Sequence, residues 1–234
     1  MAEPGRVLIT GCSRGLGLEF ARQYAQAGWH VYATCRSPER ALDLARLAAE
    51  NPDTVSLHPL DVTEPRQIEG MRQMLAGESL DLLINNAGVL GPKDQGFGHT
   101  DADAWVYTFR VNVIAPLKLI EALADNLAAG ERRLVATLSS KMGSVVENDS
   151  GGFYIYRSSK AAVNAVVKSA AVDLAQRGIS VVALHPGWVK TAMGGLEAEI
   201  EPAESVSRLC SILDRLGPQE SGGFYDLDGS RIPW

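Results

Sequence analysis

The sequence has little cysteine, no concentrated positive charge and no long apolar run, and each absence excludes a class of protein. Its three cysteines, Cys12, Cys35 and Cys210, are odd in number and widely spaced, with no Cys-x-x-Cys. A disulfide framework and a zinc or other metal site are therefore not expected, and the chain suits the reducing cytoplasm. No apolar run approaches the roughly 20 residues needed to cross a bilayer, so no membrane span is expected. The opening Met1-Ala2-Glu3-Pro4-Gly5 lacks a charged stretch followed by a long apolar one, and does not read as a signal peptide. Net charge is −6 with the basic residues dispersed, which argues against nucleic acid as a partner.

What is present is apolar material in a regular order. Of 234 residues, 46% are hydrophobic, enough for a full core. Strand-like runs fall at residues 7–10, 30–35, 54–58, 80–84, 134–139, 179–184 and 223–226. Helix-like segments fall between them, at 16–27, 38–50, 64–76, 101–129, 154–177 and 202–216. Such alternation predicts an α/β fold, a parallel seven-stranded sheet with helices on both faces. No linker, repeat or low-complexity tract divides the chain, so residues 1–234 read as one doubly wound domain. Ligands of such domains sit outside the carboxyl ends of the strands, which directs attention to the loops there.

The first of those loops reads Thr-Gly-Cys-Ser-Arg-Gly-Leu-Gly, residues 10–17. Ordered glycine costs backbone entropy, so Gly11, Gly15 and Gly17 need a reason. One reading is a structural turn. The other is a pyrophosphate cradle at a helix N-terminus, where free N–H groups and the helix dipole favour negative charge. The spacing is GxxxGxG rather than the common GxGxxG. The second loop carries no acid to hold a ribose 2′-hydroxyl; its strand ends in Arg36, and Arg14 sits inside the glycine loop. Two guanidiniums there are either solvated surface residues or a clasp for a 2′-phosphate, which would favour NADP(H) over NAD(H). Cys12 and Cys35 read as buried small residues. Asp61-Val62 ends the third strand, where an acid suits an adenine amino group and a valine its ring. Asn85-Asn86-Ala87-Gly88 ends the fourth, small enough for a nucleotide to lie close, though also ordinary turn chemistry.

Tyr156 and Lys160 stand four apart on one predicted helix face. A cation beside a phenol favours the phenolate, and such a pair can pass a proton to or from a carbonyl oxygen. The spacing also arises by chance in helices. The fifth strand ends in Ser139-Ser140, and Ser140 opens Ser-x-x-Gly. Asn112 lies four residues before Pro116 in the segment 101–129. Proline has no N–H to offer the Asn112 carbonyl, which is either a plain kink or a free acceptor for a water.

Taken in order, Thr10-Gly11-x-x-x-Gly15-Leu16-Gly17, Asp61, Asn85-Asn86-Ala87-Gly88, Asn112, Ser140, Tyr156-Arg-Ser-Ser-Lys160 and Pro186-Gly187 resemble the short-chain dehydrogenase/reductases across nearly the whole chain. Residues 152–160, residues 185–195 and the Trp234 ending look like the C-factor and sniffer-like carbonyl reductase subgroup. The resemblance implies a Rossmann-like fold and NADPH-dependent reduction of a carbonyl to an alcohol. It implies Tyr156 as acid/base, Lys160 lowering its pKa and binding the nicotinamide ribose, Ser140 orienting the carbonyl, and Asn112 holding a relay water. Pro186-Gly187 would contact the nicotinamide, and Thr191 its carboxamide or a phosphate. The cofactor residues expected are Gly11, Ser13, Arg14, Gly15, Leu16, Gly17, Arg36, Asp61, Val62, Asn86, Ala87, Gly88, Tyr156, Lys160, Pro186, Gly187, Val189 and Thr191. Ser139 remains a rival to Ser140, and Lys141 has no role. Residues 193–201 would form a short flap, with Met193, Leu196 and Ile200 offering apolar contact to the substrate. Expected partners are a small carbonyl or alcohol substrate and copies of the same chain, as a homodimer or homotetramer. C-factor relatives are linked to signalling, so a nucleotide-binding regulator with little turnover is the alternative.

Overall fold

The computed structural model describes residues 4–234; part of the stretch on which the absence of a signal peptide was argued, residues 1–3, lies outside the described residues. Seven strands form the sheet: β1 (Arg6–Ile9), β2 (His30–Cys35), β3 (Val55–Pro59), β4 (Leu82–Asn85), β5 (Leu134–Leu138), β6 (Ser180–Leu184) and β7 (Phe224–Tyr225). All neighbours run parallel, in the order β3-β2-β1-β4-β5-β6-β7. The order reverses between β1 and β4, so the crevice at their carboxyl ends is the switch point where doubly wound sheets bind ligands.

Parallel strands are covered on both faces, and the strands here are apolar on both. On one side Val7, Ile9, Ile84 and Leu184 pack against α1 (Gly15–Gln26), α2 (Leu42–Glu50) and α7 (Pro202–Leu213) through Phe20, Leu44 and Leu209. On the other, Leu8, Leu83, Val135 and Val181 meet α3 (Pro65–Met74), α5 (Ala115–Ala129) and α6 (Tyr154–Asp173) through Ile68, Leu119 and Val167. Among the described residues no helix is long and apolar enough to cross a membrane.

Four helical segments differ from the sequence pattern. The segment 38–50 is a short 3-10 turn, Pro38–Arg40, then α2. Ala41 is buried and leaves helical geometry, so that its carbonyl accepts the Ala45 N–H. The segment 101–129 is α4 (Ala102–Phe109), a widened π turn (Arg110–Ile114) and α5. Pro116 lacks an N–H, and the turn before it widens until the Ala115 N–H reaches the Arg110 carbonyl five residues back. The two C-terminal overshoots share a cause. After Asp173 and Leu213 the last turns tighten to three-residue bonds, and Gly178 (φ 70°) or Gly217-Pro218 then turns the chain away.

Candidate active site

A cavity of about 980 Å³ opens at the switch point. Its inner end is the glycine loop. Gly11 (φ 74°) and Gly15 (φ 60°) occupy the left-handed region, and Gly17 lies so close to the chain that a Cβ would overlap the Gly11 carbonyl oxygen and stand 2.5 Å from Asn86 Nδ2. These contacts explain GxxxGxG: two reversals and one close approach. Asn86 holds the loop, with Nδ2 donating to the Thr10 carbonyl (2.7 Å) and the Gly11 carbonyl (3.2 Å). Thr10 Oγ1 in turn accepts the Asn86 and Ala87 N–H groups (3.1 and 3.0 Å). The Cys12 backbone N–H donates to the Thr34 carbonyl of β2 (2.8 Å). Cys12 is fully buried, Cys35 nearly so, and burial raises both thiols, which leaves them inert.

Ser13, Arg14, Leu16, Arg36, Asp61, Val62 and Gly88 line the same cavity. Arg14 and Arg36 are exposed, and among the described residues neither enters an ion pair. Asp61 Oδ1 is taken by the Thr63 N–H and hydroxyl (2.9 and 2.7 Å), which fixes the carboxylate at the cavity wall. Pro186 and Thr191 close the opposite side, Thr191 Cγ2 lying 3.4 Å from where a Cβ on Gly15 would stand. Gly187 and Val189 are placed behind that wall rather than on it. Gly187 (φ 78°) packs under Ile200 and Leu227, and Val189 is buried and bridged to Ile200.

The phenol and the ammonium both line the cavity, while Ser140 stands next to its lining, after Ser139. Tyr156 and Lys160 project from the first two turns of α6, both almost wholly buried. Lys160 Nζ donates to the Leu138 carbonyl (2.8 Å) and stands 5.7 Å from the Tyr156 ring centre. Ser140 favours the phenolate of Tyr156, and its hydroxyl accepts the Met142 N–H (3.2 Å). Ser139 turns the other way and donates to Asn164 Oδ1 (2.6 Å), so the neighbouring hydroxyl is spent on packing. Ser-x-x-Gly has a steric origin as well: a Cβ on Gly143 would come within 2.7 Å of Lys160. Burial pushes the Tyr156 phenol up to about 12, partly opposed by Ser140, and brings Lys160 down to about 8. Spacing alone suggested a phenol lowered by its lysine. In the structure burial sets the direction, with Ser140 rather than Lys160 opposing it, and Tyr156 holds its proton at neutral pH.

Asn112 is buried on the π turn. Its Oδ1 accepts the Val89 N–H (2.9 Å), and its Nδ2 donates to the Val89 carbonyl (2.8 Å) and Ser159 (3.0 Å). Its side chain thus clamps the loop after β4 to α6. Past Gly88, residues 89–93 of that loop, with Tyr107 and Thr108, supply a wall that sequence reasoning missed; the turn pair Gly91-Pro92 is the signal that could have marked it. The flap is corrected in part. Met193 faces the cavity, but Leu196 is 95% exposed and Ile200 packs on the core, because the Trp188 indole holds the Gly194 carbonyl (2.8 Å) and folds the segment back. Lys141 pairs with Glu147 (3.3 Å) and Asp226 (3.7 Å).

Linkage gives one test of this burial. Lys160 has a folded pKa below its ordinary 10.5, so the unfolded chain binds more protons between about 8 and 10.5. The contribution of Lys160 to the stability of the nucleotide-free protein, read as the difference between wild type and variant, therefore rises with pH across that window and is lost as pH falls through about 8. Denaturant unfolding of the wild type against Lys160→Met is expected to show this gain in the wild type alone. Parallel pH profiles would contradict it.

A fold and crevice of this kind define an oxidoreductase that works with a bound nucleotide. The chain belongs to the short chain dehydrogenase family, which its sequence matches over residues 6–201. It is 43% identical to C-signal of Myxococcus xanthus over 155 residues, 66% of this chain and 93% of that one. The carbonyl reductase Sniffer of D. melanogaster superposes with a TM-score of 0.93 at 32% identity, covering 99% of this chain and 100% of that one. An NADPH-bound carbonyl reductase from chicken fatty liver gives 0.91 at 32%, with both chains covered in full. The protein is of the carbonyl reductase and C-factor type.

Proposed function

We propose that the chain reduces the carbonyl of an aldehyde, ketone or quinone to an alcohol, with NADP(H) favoured over NAD(H). The observation that carries this reading is a buried phenol with the Lys160 ammonium 5.7 Å from its ring centre, both at the wall of a cavity that also holds the glycine cradle. The residues fit the nucleotide: Gly17 leaves the space a Cβ would fill, and Arg14 and Arg36 face the cavity without ion-pair partners among the described residues. When bound, the reduced nicotinamide nucleotide supplies hydride to the carbonyl carbon. Tyr156 donates its proton to the carbonyl oxygen, and Ser140 donates a hydrogen bond to that oxygen as charge develops. Lys160 holds the ribose and stabilises the phenolate left behind. Asn112 fixes the loop beside them, and its carbonyl before Pro116 would seat the water that returns a proton.

NADPH consumption against a panel of aldehydes, ketones and quinones tests the reaction. The cofactor preference has its own test. Arg36→Ala is expected to weaken NADPH binding about tenfold, the loss of a solvent-screened charge-assisted bond, and to leave NADH binding nearly unchanged. Equal losses for both nucleotides would remove the 2′-phosphate clasp.

Two further readings rest on this one. A homodimer or homotetramer is supported by apolar side chains exposed on α4, the π turn and α6, among them Val106, Ile114 and Val172. Cytoplasmic location is supported by three free cysteines. The likeness to C-signal favours a second function, a nucleotide-binding regulator. Tight NADPH binding with no turnover across the panel would select it.

A further inference from the structure

Gln95 has no part in the chemistry above, yet it is 2% exposed and every polar atom of its side chain is engaged. Its Oε1 accepts the Tyr156 backbone N–H (2.8 Å), and its own carbonyl accepts the Tyr154 N–H (3.1 Å). Its Nε2 donates to the carbonyls of Leu90 (3.0 Å) and Pro92 (2.8 Å). Two carbonyls on one side and an N–H on the other fix which way the amide points.

The first N–H groups of a helix have no partner inside it, and a side chain just before the helix normally supplies one. In α6 that position is Phe153, in the left-handed region (φ 47°), with no group to offer. Gln95 does the capping from 61 residues away along the chain. The same amide ties down residues 90–92, which line the same cavity as Tyr156.

We infer that Gln95 is a positioning residue for carbonyl reduction: one buried amide sets the height of Tyr156 and the substrate wall against each other. This rests on the reaction proposed above. The two functions of the amide separate chemically. Its acceptor holds the helix that carries the acid, and its donors hold the wall that binds substrate.

Two variants read them apart. Gln95→Leu removes both, and is expected to lower kcat and raise KM by about tenfold each, with NADPH affinity unchanged. Gln95→Glu, protonated between the two carbonyls at this buried site, keeps the acceptor for the Tyr156 N–H and one donor of two, so kcat returns toward wild type while KM stays raised. A loss of correctly folded protein alone would lower kcat and leave KM where it was. Hydrogen exchange supplies a readout independent of turnover: the Tyr156 amide exchanges faster in Gln95→Leu and is protected again in Gln95→Glu. Should Gln95→Leu not fold, raised KM at near-wild-type kcat in Gln95→Glu carries the test, and the reverse pattern overturns the inference. Wild-type exchange at Tyr156 and unchanged kcat and KM in both variants would also overturn it. If the wild type turns over no carbonyl compound, the proposed reaction has failed, and the exchange data still decide whether Gln95 caps the helix.

Discussion

Tyr156→Phe is expected to lower the turnover of carbonyl substrates by about a hundred- to ten-thousandfold while NADPH still binds. The change deletes one oxygen from a ring that is 8% exposed, so packing is preserved. The proton donor is lost, and with it the hydroxyl whose acidity Ser140 favours. Little else moves: the nucleotide cradle is built from the loops after β1 to β4, and Lys160 keeps its bond to the Leu138 carbonyl. Loss of NADPH absorbance with substrate in excess gives kcat, and quenching or enhancement of NADPH fluorescence gives affinity. An undiminished kcat would remove Tyr156 from the mechanism and leave Ser140 as the nearest hydroxyl to reconsider.

The second large effect belongs to Gly17→Ala. A Cβ there falls on the Gly11 carbonyl oxygen and within 2.5 Å of Asn86 Nδ2. Neither can yield cheaply. Gly11 is held in a left-handed turn, and the Asn86 amide already bonds the Thr10 and Gly11 carbonyls. The glycine loop must spread, at an overpacking cost of about 1–3 kcal/mol. Borne by the cradle, that strain corresponds to a fall in NADPH affinity on the order of ten- to a hundredfold. Titration of NADPH and urea unfolding of the same variant report the two halves of the effect. Wild-type values in both would mean that the loop has slack that the contact distances deny.

The candidate site was legible to different depths. Glycine spacing, the phenol and lysine four apart, and the Asn–Pro pair before α5 could be read because each is a local rule, set by sterics or helix periodicity within a few residues. The choice between Ser139 and Ser140 could not. Adjacent residues in extended chain point to opposite sides, and which side holds Tyr156 depends on where α6 packs. The proton affinity of Tyr156 was misjudged for a related reason. Spacing shows a neighbouring charge, but desolvation depends on everything that covers the ring. Leu196 looked like a substrate contact by its chemistry, and the Trp188–Gly194 bond turns it to solvent instead. Gln95 gave no signal at all. A glutamine among Gly, Pro and Asp reads as surface, and its partners lie as far as 61 residues away.

By itself, then, the amino-acid order determined a doubly wound sheet, the end of that sheet where a ligand binds, and the side chains equipped for phosphate and proton chemistry. Each follows from backbone sterics, apolar periodicity or side-chain identity, which act over short stretches. Tertiary structure alone decided which hydroxyl meets the phenol, how firmly the phenol keeps its proton, and what holds the acid's helix against the substrate wall. Those depend on burial and on hydrogen bonds between distant segments, and such contacts exist only once the chain has closed on itself.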